Sequence, residues 1–399
     1  MTDRRDFLRI GAGVTLGLAG LPAGAQSSST DAAIRRYVRF GRTDLKISDI
    51  CFGSSSSSSA DLVRHALDRG VNYFDTAESY RWGRSESAIG EGLQGRRDRV
   101  FIATKTKAGA SDTRADMMKS LEGSLQRLRT DYVDVYYNHS VNDVSRMQNP
   151  EWREFTELAK RQGKIRFSGM SGHGGQLVVC LDYAIENDLV DVILVAYNFA
   201  QDPSFYDRLR HTFHWSAIQP DLPRVLEKAK SKDIGVMAMK VLMGARLNDM
   251  RPYEGADGTF SHAAFRWALS STHVDAVTVS MTGVGQIDEY VAASGSTVLS
   301  GYDRELLDRY VHLQAGKWCQ PGCNSCESSC PRGVQISEVL RTRMYAVDYR
   351  DALLAKAEYA ELGAGASACL NCSGQPCQGA CPIDVPIAQF TREAAFRLA

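Results

Sequence analysis

The chain has 399 residues, 44% hydrophobic and 24% charged, and its 47 basic residues balance 47 acidic ones. That is the composition of a globular protein with room for one large domain and a smaller one. No basic excess marks a nucleic-acid partner, and no apolar stretch of about 20 residues marks a membrane span.

The N-terminus reads as a targeting segment over residues 1–25. Asp3-Arg4-Arg5-Asp6-Phe7-Leu8-Arg9 is a charged start, residues 10–21 are weakly apolar and Gly-rich, and Ala23-Gly24-Ala25 is a small-x-small cleavage site. The paired arginines before Phe7-Leu8 are similar to a twin-arginine signal, so export of a folded protein to the periplasm is expected. A plain N-terminal tail is the alternative. Gly11, Gly13 and Gly17 are not a dinucleotide fingerprint, because no strand precedes them and the GxGxxG spacing is missing. A polar linker follows over residues 26–36.

Residues 37–300 carry a repeating pattern. Tyr37 to Phe40 and Leu45 to Ile47 flank Gly41-Arg42-Thr43-Asp44, a hairpin. Eight apolar or β-branched runs follow at 47–52, 71–75, 100–104, 133–137, 165–170, 192–196, 234–239 and 276–279. Helical patterns lie between most of them; the clearest places Met117, Met118, Leu121, Leu125 and Leu128 on one face. Strand alternating with helix eight times predicts an α/β fold, a (β/α)8 TIM barrel. A doubly wound sheet is the alternative, but its first turn is more often Gly-rich. Here that turn is the serine run 54–59, a candidate flexible loop. Two long loops follow the sixth and seventh strands. The first holds Phe205, Tyr206, Phe213, His214 and Trp215, which suit either a substrate pocket or a lid. Composition shifts after residue 300, and residues 301–399 form a small, mainly helical module with helices near 305–313, 338–345 and 352–362.

Asp75, Lys105 and His139 fall at or just past the ends of the second, third and fourth predicted strands, and Tyr80 lies in the loop after the second. A barrel brings adjacent strand ends together, so the four can converge. Their chemistry is that of proton delivery to a carbonyl oxygen. A phenol near pKa 10 is a poor acid at neutral pH. A nearby ammonium lowers it, a carboxylate holds the ammonium, and an imidazole orients the oxygen. Hydride must come from a cofactor, since no side chain supplies one.

The segments FDTAESYRWGRSESAIGEGL, FIATKT, SLQRLRTDYVDVYYNH and GKIRFSGMSGH together resemble the aldo-keto reductase family across residues 37–298. The resemblance implies a barrel that reduces carbonyls with NAD(P)H through a tetrad of Asp75, Tyr80, Lys105 and His139. It also points to Ser171, Ser280, Gly283 and Gln286 as cofactor-binding positions. The sequence departs from the family pattern at Gly172, Leu194, Met239 and Lys240, and lacks the Lys and Arg that often grip a 2′-phosphate near residues 280–286. Backbone amides around Gly283 and Gly285 can still face a phosphate.

Eight of the ten cysteines lie in the last module. Cys319, Cys323, Cys326 and Cys330 precede Pro331; Cys369, Cys372, Cys377 and Cys381 precede Pro382. Both runs end C-x3-C-P, the pattern of two-cluster ferredoxins, although each has one spacer a residue or two too long. Two [4Fe–4S] clusters are expected. In that pattern the fourth cysteine serves the other cluster, which groups Cys319, Cys323, Cys326 with Cys381, and Cys369, Cys372, Cys377 with Cys330. Disulfides and zinc are the alternatives. Cys51 and Cys180 read as buried small hydrophobes. The expected function is an exported oxidoreductase that couples carbonyl–alcohol interconversion to cluster electron transfer, acting on a small molecule with a protein or quinone-linked electron partner. The alternative is an electron-transfer or binding protein whose barrel is catalytically silent.

Overall fold

The computed structural model describes residues 32–202, 221–243, 249–314, 319, 325–348, 351–382 and 384–399. The targeting segment, the five loop aromatics from Phe205 to Trp215, and Cys323 lie outside them. Strands β1 (Tyr37–Arg39) and β2 (Lys46–Ser48) form the antiparallel hairpin. Eight parallel strands then close a barrel in sequence order: β3 (Ile50–Gly53), β4 (Tyr73–Asp75), β5 (Phe101–Thr106), β6 (Val133–Asn138), β7 (Ile165–Gly172), β8 (Val192–Ala196), β9 (Gly235–Met239) and β10 (Ala276–Ser280), which returns to β3. All eight expected runs are strands, and the barrel replaces the doubly wound alternative.

Alternation along each strand divides the side chains into two layers. Cys51, Tyr73, Ala103, Val135, Tyr137, Val192, Leu194, Met237 and Ala276 form an inner cluster. Ile50, Phe52, Phe74, Ile102, Tyr136, Ile193, Val236 and Val277 belong to the outer layer, against the helices. Phe40, Leu45 and Ile47 of the hairpin join the inner cluster and plug the end where the strands begin. Gly41 makes that plug fit. Its φ is +55°, and a Cβ there would stand 2.0 Å from the Gly235 nitrogen at the start of β9.

The expected helix face is seen in Arg114–Leu128, where Met117, Leu121, Leu125 and Leu128 are buried. Thr113 and Asp116 close its N-terminus as a capping box, Asp116 accepting from the Thr113 nitrogen at 3.1 Å. The serine run is not a loose loop. Ser54 and Ser57 are buried, Ser54 Oγ donates to the Asp75 carbonyl at 2.9 Å, and Ser85 Oγ reaches the Ser54 and Ser57 carbonyls at 2.5 and 2.6 Å. Hydroxyls satisfy a turn that glycine would leave to solvent.

In the last module the helices Ile336–Val347, Ala352–Ala360 and Ile387–Leu398 pack on one another. Barrel and module lie in one compact unit, Ala32–Ala399. No helix among the described residues is long and apolar enough to cross a membrane.

Candidate active site

The inner face continues past the core to the ends of the strands. Tyr73 and Asp75 share a face of β4, and Ala103 and Lys105 share a face of β5. Val135 and Tyr137 on β6 lead to His139 just beyond it. The same alternation sends Ser171, Leu194, Met239 and Ser280 inward from β7 to β10. These groups line a cavity of about 740 Å³ with Asp75, Tyr80, Lys105 and His139. Its size suits a small-molecule site.

Lys105 is wholly buried, and its ammonium donates to Asp75 Oδ1 at 2.6 Å and to the Thr76 carbonyl at 2.5 Å. Burial pushes the Asp75 carboxyl up and the Lys105 ammonium down, and each charge opposes the shift of the other. Tyr80 sits with its ring centroid 5.0 Å from Lys105 Nζ and 5.5 Å from the His139 ring, which meets it edge-on. The backbone turns sharply after it: Arg81 and Trp82 hold φ of 51° and 58°. Burial, with the negative charges of Asp75 and Glu358, holds the Tyr80 phenol well above its usual range. This corrects the expectation that Lys105 lowers it. The ammonium is committed to Asp75, so its charge is largely compensated at the ring. Burial, then the positive charges of Lys105 and Lys107, pushes His139 well below the usual imidazole range. Its Nδ1 has no partner among the described residues. A neutral imidazole, a protonated phenol and a buried ion pair thus meet at one point.

The aldo/keto reductase family model matches residues 40–255, or 216 of 399. The chain belongs to the aldo/keto reductase family. L-galactose dehydrogenase of Arabidopsis thaliana is 28% identical over 304 residues, covering 67% of this reductase and 90% of that protein. A Klebsiella pneumoniae aldo/keto reductase solved with NADP and acetate is 25% identical, with TM-score 0.53 over 69% of this chain and 95% of the other. A Bacillus halodurans aldo-keto reductase, at 20% identity and TM-score 0.55, covers the same shares and shows the fold alone. As a member of this family the protein is an oxidoreductase.

The other sequence-predicted positions separate. Ser171 is buried, and its Oγ accepts from the Ser140 nitrogen at 3.0 Å. Ser280 and Ser55 hydroxyls meet at 2.6 Å. Gln286 Oε1 accepts from the Thr282 nitrogen at 2.7 Å, and its Nε2 donates to the Tyr290 hydroxyl at 2.9 Å. Ser171, Ser280 and Gln286 line the reductase cavity; Gly283 does not, and instead precedes the helix Val284–Ala292 with open space at its Cα.

Sequence reasoning missed the cover of the cavity. Glu338, Arg341, Met344, Tyr345, Leu354 and Glu358, all from the last module, line it beside the tetrad. Glu358 accepts from Lys107 at 3.2 Å and from Arg341 at 3.1 Å. Although burial opposes it, these charges bring Glu358 down to about 2. Arg341 is also paired with Glu338 at 2.6 Å. The missed signal was a charged, regularly spaced Glu338–Arg341–Tyr345 face on a helix read only as one of the module's helices between the cysteine runs.

Cys330, Cys369, Cys372 and Cys377 line a second cavity, with Arg332 and Arg392 and without a single imidazole or carboxylate. Cys330, Cys369, Cys372, Cys377 and Cys381 form no disulfides. Arg392 donates to the Cys372 carbonyl at 2.8 Å. Burial pushes the Cys369 and Cys377 thiols up, and their sulfur neighbours add to it. Cys326 is buried and Cys319 lines the tetrad cavity. Among the described residues no group of three or more His, Cys, Asp or Glu side chains is drawn together as one metal ion requires. Cys51 and Cys180 are fully buried.

Proposed function

We propose that this reductase is exported by the twin-arginine route and interconverts a carbonyl and an alcohol at Asp75, Tyr80, Lys105 and His139. We further propose that it uses a nicotinamide nucleotide and carries [4Fe–4S] clusters in residues 301–399. The observation that carries the catalytic reading is the meeting of a protonated phenol, a neutral imidazole and the Lys105–Asp75 pair at one cavity. A bound NAD(P)H supplies hydride to the carbonyl carbon. Tyr80, which burial keeps protonated at neutral pH, is the group placed to donate the proton that the oxygen acquires. His139 orients that oxygen as a neutral donor, and Lys105, fixed by Asp75 and the Thr76 carbonyl, supplies positive potential beside it. Ser171, Ser280 and Gln286 line the cavity and would hold the nucleotide; the NADP complex of the Klebsiella pneumoniae relative supports nucleotide use.

The cluster reading is supported by the grouping of Cys369, Cys372 and Cys377 with Cys330, the fourth cysteine of the other run, around one cavity. A tetrahedral zinc site would draw its sulfurs to about 3.8 Å of one another; a four-iron cube takes them from a wider cage. The thiols repel as thiolates, which a cationic cluster core relieves. Arginines 332 and 392 suit the net negative charge of a thiolate-ligated cluster. Such a group exchanges single electrons with a partner.

The test is anaerobic purification of the mature chain, with iron, nucleotide and turnover measured together. Tyr80→Phe should lose at least about 100-fold in carbonyl reduction with iron unchanged. Unchanged turnover removes Tyr80 from its role. Cys369→Ser should lower iron by about half, from about eight per chain; undiminished iron defeats the ligand assignment. Fractionation of cells producing Arg4→Lys/Arg5→Lys should show the protein retained in the cytoplasm.

A further inference from the structure

The cavity contains a second lysine–tyrosine pair. Lys240 follows β9, and its ammonium donates to the Tyr345 hydroxyl at 3.1 Å and lies 5.6 Å from that ring's centroid. The two residues come from different parts of the chain, the barrel and the last module, and both line the cavity that holds the tetrad. Lys240 holds φ at +58°, a conformation a non-glycine residue rarely keeps without a reason.

The charge distribution around this pair is uneven. Of the cavity-lining cations, Lys105 is paired with Asp75, Arg251 with Asp249, and Arg341 with Glu338 and Glu358. Among the described residues Lys240 has no carboxylate in ion-pair range. The remaining lining carboxylates are also engaged: Glu254 accepts from the Phe260 nitrogen at 2.9 Å, and Glu289 from the Thr259 hydroxyl at 3.0 Å. Neighbouring groups feel the Lys240 charge. His173 lines the same cavity and is held well below its usual range by burial and by Lys240 and Arg341. Tyr345 is lowered although burial opposes it, because Lys240 and Arg341 favour its phenolate. His173 Nδ1 is buried without a partner among the described residues.

We propose that Lys240 and Tyr345, with the Arg341 guanidinium behind them, form an anion subsite of the reductase, built half from the barrel and half from the last module. Its ligand is a carboxylate or phosphate group. That group is carried either by the carbonyl substrate, which is then an oxo acid or an aldehyde acid, or by the nucleotide. Lys240 supplies the charge and Tyr345 a directional hydrogen bond. The paired Glu338 and Glu358 keep Arg341 from closing on the anion itself. The subsite rests on the reading of this cavity as a carbonyl-reducing site.

The test is equilibrium binding by titration calorimetry on the anaerobically purified full mature chain. The probes are 4-carboxybenzaldehyde, its neutral methyl ester and NADPH. Wild type should bind the carboxylate at least about 10-fold more tightly than the ester, as a charge-assisted contact allows. Lys240→Met should abolish that preference, Lys240→Arg should keep it, and Tyr345→Phe should diminish it. If Lys240→Met instead weakens NADPH by a similar factor and the aldehydes show no preference, the anion is the nucleotide's phosphate and the subsite stands. If neither changes, the subsite is overturned; if only Tyr345→Phe is silent, the module's share of it is overturned. Preferential binding with no turnover of either aldehyde would defeat the reductase reading and leave the subsite intact.

Discussion

Tyr80 and Tyr345 are two phenols in one cavity with opposite surroundings. Tyr80 is flanked by the carboxylates of Asp75 and Glu358, Tyr345 by the cations of Lys240 and Arg341. The first keeps its proton and the second yields it more readily. With Tyr80 raised above 10.0 and His139 pushed below 6.5, neither changes charge between those values. Neither group should therefore contribute a limb to the kcat profile for carbonyl reduction between about pH 6.5 and about pH 9. A limb near pH 6.5 that vanishes in His139→Gln would show that the imidazole titrates in the working range. Lys105→Met leaves Asp75 buried and unpaired, so it should cost about 3–5 kcal/mol in urea denaturation as well as turnover. Asp75, Lys105 and His139 were legible in the sequence because strand alternation fixes which side chains face inward. Glu358 was not. Its partner Lys107 is 251 residues away, and no local pattern encodes a contact across that separation.

At the scale of elements, strands were read more reliably than turns. Each barrel strand is a short apolar run between polar boundaries, and closure needs only that all eight pair in order. The serine turn looked mobile because serine is common in loops, yet the Ser54 hydroxyl donates to the Asp75 carbonyl and the Ser54 and Ser57 carbonyls accept from the Ser85 hydroxyl. That turn stands beside β4 and holds the strand end that presents Asp75. Gly41 is the complementary case, since its role follows from a contact with β9 that the hairpin sequence does not announce. Gly41→Ala combines a positive φ with overlap against backbone. It should destabilise the barrel by about 2 kcal/mol or more, read as a lower urea midpoint with an unchanged slope.

At the scale of the molecule, Glu358 couples the last module to the barrel through Lys107, while Arg341 of its own module holds it in place. Its folded-state pKa of about 2 lies below the ordinary 4.5. A depressed carboxyl contributes stability that is fully present above the unfolded value and is lost as pH falls through the folded one. The reductase should lose about 3 kcal/mol from this group between about pH 4.5 and pH 2. Glu358→Gln should be less stable at pH 7, and its acid unfolding should lack that component. Identical acid profiles would show that the pair does not couple module to barrel.

The cover over the tetrad is the last part of the chain to be made. Lys107 emerges early in synthesis and waits for Glu358, and Lys240 waits for Tyr345. The cover of the cavity that holds Asp75, Tyr80, Lys105 and His139, and the partners of Lys107 and Lys240 at its edge, all come from the last hundred residues. Completion of the candidate site therefore depends on the same segment that carries the cysteines. On the proposed assignment of the tetrad, activity is tied to completion of the whole polypeptide, because the cavity's cover comes from its last hundred residues.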